Sequence, residues 1–143
     1  GYVRALQEAE ILYDPDKVVW FHTEDRKIHP YEAIREMAGK TLRGRMDAVV
    51  CYNDQTAQLV IRALQEEGLR IPEDVSVLGF DNVSLSSMVE PPLSTVAQPL
   101  YDMGAVAAKN LIHQIRYKEK NGELPPPVRN VLGVDLIVRR STR

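Results

Sequence analysis

The sequence has a single cysteine, Cys51, so no internal disulfide framework is open to it, and this usage fits a reducing compartment. It has no apolar stretch approaching the ~20 residues that cross a bilayer as a helix. It has no excess of basic residues: 18 Lys and Arg stand against 20 Asp and Glu, a formal net charge of −2. A free-standing nucleic-acid binder shows a basic face, so this chain alone is a poor candidate for one. Glycine loops of the phosphate-binding type are missing, as are a Gly-x-Ser-x-Gly elbow and Cys/His pairs at metal-binding spacing. His22, His29 and His113 are scattered. No signal-peptide pattern is visible. The chain opens at Gly1 inside a helical pattern, which reads as a piece of something longer and leaves its start silent on targeting.

What is present is an ordinary globular composition, 44% hydrophobic and 27% charged over 143 residues, one domain by length and large enough for a real core. Apolar runs alternate with amphipathic segments. Tyr2 to Ala9 reads as helix. After the turn Asp14-Pro15-Asp16, the run Val18, Val19, Trp20, Phe21 reads as a strand covered on both faces. His22 to His29 is polar and loop-like, and Pro30 opens a helix carrying Ala33, Ile34, Met37 and Ala38. A second strand is expected over 46–52, followed by a helix over 55–67 with Ala57, Val60, Ile61 and Leu64 on one face. Asp54 is read as its N-cap, Gly68 as its left-handed C-terminal residue and Pro72 as its stop. A third strand is expected over 75–80. Strands alternating with helices at these lengths predict parallel βαβ units and an α/β fold, a three-layer parallel sheet with helices on both faces. Downstream come Pro91-Pro92, a short extended piece at 93–97, and a helix from Leu100 to about Tyr117 with small residues at Gly104, Ala105, Ala107 and Ala108. A charged, Pro-rich loop and a last apolar run at 131–138 follow. Cys51, Trp20 and Phe21 are read as core. The terminal Arg139, Arg140 and Arg143 are read as solvated.

In this scheme His22-Thr23, Asn53-Asp54 and Asp81-Asn82 follow three strands and line one edge of the sheet, where open α/β sheets bind ligands. Carboxylates and amides hydrogen-bond vicinal hydroxyls well, so a sugar is the natural ligand class. Other readings stay open from the residues alone. Asp81 is equally a solvated strand-end carboxylate, and Asn53 a turn residue tolerant of left-handed geometry. An enzyme reading, with Asp54 and Asp81 holding Mg²⁺ at the strand ends, is the sharpest catalytic alternative and a weak one.

Asp47-Ala48-Val49-Val50-Cys51-Tyr52-Asn53-Asp54, the run from Ala63-Leu64 through Gly68-Leu69-Arg70-Ile71-Pro72 to Val77-Leu78-Gly79-Phe80-Asp81, Pro91-Pro92-Leu93-Ser94-Thr95-Val96, Met103-Gly104-x-x-Ala107-Ala108 and Leu136-Ile137-Val138-Arg139-Arg140-Ser141-Thr142 together resemble the effector-binding domain of LacI/GalR-family repressors. Each motif alone is modest; their order and spacing are specific. The resemblance implies one lobe of a periplasmic-binding-protein type I-like fold, with residues 1–97 and 129–143 in the C-terminal effector-binding lobe. Residues 98–128 would be a crossover helix and loop belonging to an N-terminal lobe outside this chain. It implies effector contacts from Asn53, Asp81 and Gln98, with His22 a further candidate where the family often stacks an aromatic ring. It implies a homodimer using Leu59, Ala63, Leu85 and Met88, a cytoplasmic repressor that senses a small-molecule sugar, and DNA contact only through a domain absent here. No catalysis, metal, cofactor or membrane contact is implied. The wording around Tyr52-Asn53-Asp54 is also similar to arabinose-responsive repressors. A sugar-binding protein of a transport system shares the fold and is the runner-up. Glu10 departs from the family's pattern, which commonly ends the first helix in Gly; a left-handed residue there costs roughly 1 kcal/mol.

Overall fold

The structure, a computed structural model, describes residues 1–18, 31–32, 34–35 and 46–143. Four strands, β1 (Ala48–Val50), β2 (Ser76–Asp81), β3 (Ser94–Ala97) and β4 (Asp135–Ile137), form one sheet in that order. The helices are α1 (Tyr2–Glu8), α2 (Asp54–Glu66) and α3 (Leu100–Asn121). β1 pairs parallel with β2, and β2 with β3, setting Val50 opposite Leu78 and Asp81 opposite Ala97. The expected α/β fold with its parallel sheet is therefore present. Its last strand differs: β4 runs antiparallel to β3, with Asp135 opposite Ala97. The chain leaves β3 for α3 at one edge of the sheet and returns at that same edge, so the returning strand must run the other way.

The core follows from the two periodicities. Along β2 the inward positions are Val77 and Gly79. Against them α2 sets Ala57, Val60, Ile61 and Leu64, which recur at helical spacing and are all buried. Ile34, Cys51, Ala63, Ile71, Val75 and Leu93 complete the cluster among the described residues. Tyr31, Glu32, Ile34 and Arg35 are helical and bring the Ile34 side chain into that core. α2 ends as its sequence predicts. Gly68 has φ +80, its N–H reaches Gln65 O at 3.0 Å, and the Leu69 N–H reaches Leu64 O at 3.0 Å, a Schellman arrangement with Leu69 packed on the core. α1 ends the same way: Ile11 N–H reaches Leu6 O at 2.8 Å, and Glu10 takes φ +57 where glycine would be relaxed.

Of the expected first strand, Val19, Trp20 and Phe21 lie outside the described residues, as do Ala33, Met37 and Ala38. Lys17 closes a 3-10 turn, Pro15–Lys17, that the Asp14 carboxylate caps by accepting from Asp16 N at 3.0 Å. α3 runs one turn beyond the expected end. Lys118, Glu119 and Lys120 sustain the helix, with Lys118 and Lys120 at the dipole's negative end, and Gly122 at φ +79 stops it. No residue of α3 is buried, and Leu111, Ile112 and Ile115 stay at least half exposed.

The C-terminus corrects an expectation. Arg140 and Arg143 are exposed, but Arg139 is not a solvated end: its guanidinium donates to Leu93 O at 2.6 Å and Asn82 Oδ1 at 2.7 Å. The chain then straps the amino ends of β2 and β3. Fully buried Ser141 donates from Oγ to Val77 O (2.6 Å), accepts there from Ser94 N (2.8 Å), and accepts at its carbonyl from Val77 N (2.7 Å). These bonds satisfy backbone groups that the short strands leave open.

Gly79 marks a close approach of α2 and Leu93 to the sheet. A Cβ built there would lie 2.2 Å from Asp54 Oδ1 and 2.9 Å from Leu93 Cδ2. Gly79→Ala is therefore expected to lower unfolding stability by roughly 1–3 kcal/mol, the range for overpacking a filled site. Urea unfolding measures it as a lower midpoint at unchanged slope; an unmoved midpoint contradicts the packing described.

Candidate functional site

Because β1, β2 and β3 are parallel, their carboxyl ends share one edge. Asn53 follows β1, Asp81 ends β2, and Gln98 follows β3. The N-cap of α2 is Asn53 and not Asp54: at φ −154 its Oδ1 accepts from Thr56 N at 2.8 Å. Asn and Asp cap about equally well, so an Asn-Asp pair can place the cap at either position. Capping by Asn53 puts Asp54 in the first turn of α2, where the helix dipole favours a negative charge.

Asp54 points into the protein and is completely buried. Its Oδ2 accepts from Val83 N at 2.9 Å and Ser86 Oγ at 2.5 Å, and its Oδ1 accepts from Thr95 Oγ1 at 2.6 Å. Both oxygens are committed, so Asp54 does not fit a shared Mg²⁺ site with Asp81. Among the described residues no group of three or more His, Cys, Asp or Glu side chains could hold a metal.

Asp81 and Gln98 meet directly: Gln98 Nε2 donates to Asp81 Oδ1 at 2.5 Å. Both are half-buried. At Asp81 and Asn82 the backbone turns through two positive φ angles, +108 and +55. Asn82 N then donates to Thr95 Oγ1 at 3.3 Å, and Asn82 Oδ1 accepts from Arg139. The edge thus presents a carboxylate, its partner amide and the capping amide of Asn53 together. His22 lies outside the described residues.

The four residues expected at a partner surface divide. Leu85 and Met88, on and just after the 3-10 turn Ser84–Ser87, are 49% and 76% exposed. Leu59 is half-buried against the core. Ala63 is fully buried in this chain's own core, which leaves it no surface to offer a partner. Its line on α2 faces inward with Val60 and Leu64.

Sequence reasoning missed the roles of Asn82, Ser86, Thr95 and Arg139. One signal was available: a glycine inside an apolar strand marks close approach, and Gly79 makes room for the Asp54 carboxylate.

The family model of the periplasmic binding protein-like domain matches residues 1–142. The chain belongs to this family. It is 32% identical over its whole length to the arabinose metabolism transcriptional repressor of Geobacillus stearothermophilus, of which it covers 38%. In structure it is similar to a transcriptional regulator CelR–cellobiose complex, with TM-score 0.82 and 34% identity over 98% of this chain and 40% of that one. It is also similar to the structure described as a LacI-family regulator from Sanguibacter keddieii, with TM-score 0.83 and 34% identity over 98% of this chain and 49% of that one. The chain therefore spans under half the length of these relatives. The LacI/GalR resemblance is borne out, and this periplasmic binding protein-like chain is a partial effector-binding domain.

Cys51 follows β1 directly, is buried in the core, and feels the Asp54 carboxylate. Burial first, and the Asp54 carboxylate second, push its thiol up to about 12. The folded chain then keeps a proton that the unfolded chain releases, so Cys51 contributes stability fully present below about pH 9 and lost as pH rises toward about 12. Iodoacetamide at pH 8 is expected to leave the native thiol unmodified and to label it rapidly in denaturant, read by mass spectrometry. Equal labelling in both states contradicts this placement.

Proposed function

We propose that this chain is the effector-sensing lobe of a bacterial transcriptional repressor, and that its ligand is a sugar. The observation that carries the reading is the convergence of Asn53, Asp81 and Gln98 on one strand-carboxyl edge, with the Asp81 carboxylate held beside the Gln98 amide. A carboxylate accepts two hydroxyls and an amide both donates and accepts, the pattern that vicinal diols need. Relatives named for arabinose metabolism and for a cellobiose complex support the ligand class. His22 is proposed as a further contact.

In this reading residues 1–97 and 129–143 form the lobe, and 98–128 pack on a second lobe that supplies the other wall of the site. The uncovered apolar side of α3 supports that division. A sugar gripped by both walls favours the closed arrangement over the open one, and this population shift alters the affinity of a separate DNA-binding domain. Leu59, Leu85 and Met88 are proposed to face a second copy, in a cytoplasmic homodimer. The lobe alone binds sugar weakly, because half the contacts are missing.

In the full-length repressor, Asp81→Ala and Asn53→Ala are each expected to weaken sugar-induced operator release by roughly tenfold or more, the worth of a charge-assisted or shared hydrogen bond, with unliganded DNA binding unchanged. Operator binding titrated against L-arabinose and cellobiose reads this out; wild-type response in both variants refutes the site. For the 143-residue chain alone, light scattering is expected to show self-association, or dye fluorescence an exposed apolar face. A clean monomer that binds no dye contradicts the uncovered role given to α3.

A further inference from the structure

We infer that Asp54 is a positioning residue for Asp81: its buried carboxylate holds the left-handed turn from which the Asp81 side chain meets Gln98. The inference rests on the effector reading for its purpose, and on geometry alone for its existence. Residues with a Cβ seldom adopt positive φ, although Asp and Asn tolerate it best, and two in succession are rarer still. Asp81 at +108 lies well outside the usual left-handed well. Local preference therefore does not set this turn, and tertiary bonds must.

Apart from the Arg139 bond to Asn82 Oδ1 and the Gln98 bond to Asp81 itself, those bonds end on Asp54. The residue directly after the turn, Val83, donates its N–H to Asp54 Oδ2. Ser86 Oγ donates to the same oxygen and pins the following 3-10 turn. Asn82 donates its own N–H to Thr95 Oγ1, and that hydroxyl donates to Asp54 Oδ1. Both carboxylate oxygens thus hold the chain leaving Asp81, one directly and one through Thr95. The carboxylate is itself fixed: Asn53 caps the helix that carries it, and Gly79 leaves the space it fills. Asn53 and Asp54 divide the work, one exposing an amide at the edge and the other setting the carboxylate across from it. With Asp54 gone, the Val83 N–H loses its acceptor, the turn relaxes toward negative φ, and the Asp81 side chain swings off Gln98.

Proton–nitrogen NMR of the chain tests this with Asp54→Ala, Asp54→Asn and Thr95→Val. In Asp54→Ala the Gln98 side-chain amide signal is expected to move to the position of a free glutamine, and Val83 amide exchange to rise at least about tenfold. The Val60 and Leu64 amides of α2 should keep their wild-type exchange. Asp54→Asn is expected to restore the Gln98 signal, since its oxygen can receive Val83 N and Ser86 Oγ while its amide donates to Thr95 Oγ1. Thr95→Val tests the same link should Asp54→Ala not fold, and is expected to shift the Gln98 signal in the same direction. A Gln98 signal that stays in place in Thr95→Val and in any folded Asp54→Ala overturns the inference, as does failure of Asp54→Asn to restore it. A titration of the same samples with L-arabinose and cellobiose separates the two readings. Affinity at least about tenfold weaker wherever the Gln98 signal has moved supports the positioning role, and equal affinity overturns it. If neither sugar binds the wild type, the Gln98 signal alone decides whether Asp54 positions Asp81, and a wider sugar panel decides the effector reading.

Discussion

Among the described residues no cation pairs with the buried Asp54 carboxylate, and three hydrogen bonds hold it. Taking such a group out of water is costly, and the cost is offset only when donors surround it. Val83 N, Ser86 Oγ and Thr95 Oγ1 supply them, and the amino end of α2 adds its dipole. These three donors come from the segment after β2 and from β3, while Asp54 comes from the segment after β1. One side chain therefore ties the segments that follow β1 and β2 to β3. Leaving the buried Ser86 hydroxyl unpaired would cost roughly 1–3 kcal/mol by itself. Gly79 is the counterpart of this arrangement: the sheet gives up a side chain so that the carboxylate can lie against its backbone.

The opposite edge of the sheet is closed by different means. There Ser141 takes up the backbone groups where β2 and β3 begin, and the Pro92 carbonyl accepts from Arg140 N and Ser141 N. Arg139 lies between the two systems, bonding Leu93 O on one side and Asn82 Oδ1 on the other. The short strands are thus fixed at both ends, and so are the polar groups of the carboxyl edge. Preorganisation of that kind lowers the ordering cost of binding. α3 stands apart from this framework, with every residue at least partly exposed.

Much of this was legible in the sequence. Apolar spacing located β1, β2 and β3 and the inner face of α2, because burial on one side of a helix or inside a parallel sheet leaves a periodic mark. Gly68 announced the end of α2, and the alternation of elements announced the α/β fold. Asn53 and Asp81 follow from the strand ends as well as from the family resemblance, whereas Gln98 rests on the resemblance alone, since periodicity does not find it. The misplaced cap had a physical origin: Asn53 and Asp54 are equally competent, and the choice is made by donors 29 to 41 positions away in the chain. Ala63 falls to a partner surface by the family resemblance, on an apolar line with Leu59 beside the core face, and the core takes it because that line adjoins Val60 and Leu64. Arg139 was read as solvated because terminal arginines usually are, and nothing local shows that a carbonyl and an Asn side chain wait for it. The direction of β4 depends on the edge at which α3 departs, which no pattern within β4 encodes.

The central claim is that the strand-carboxyl edge is one wall of a sugar site. Residue-by-residue amide shifts, followed while the chain is titrated with a panel of pentoses, hexoses and disaccharides, test it most directly. The account predicts saturable shifts for at least one sugar, clustered at Asn53, Asp81, Asn82 and Gln98. Shifts confined to the opposite edge, around Ser76 and Ser141, or no saturable shift with any sugar, would contradict it.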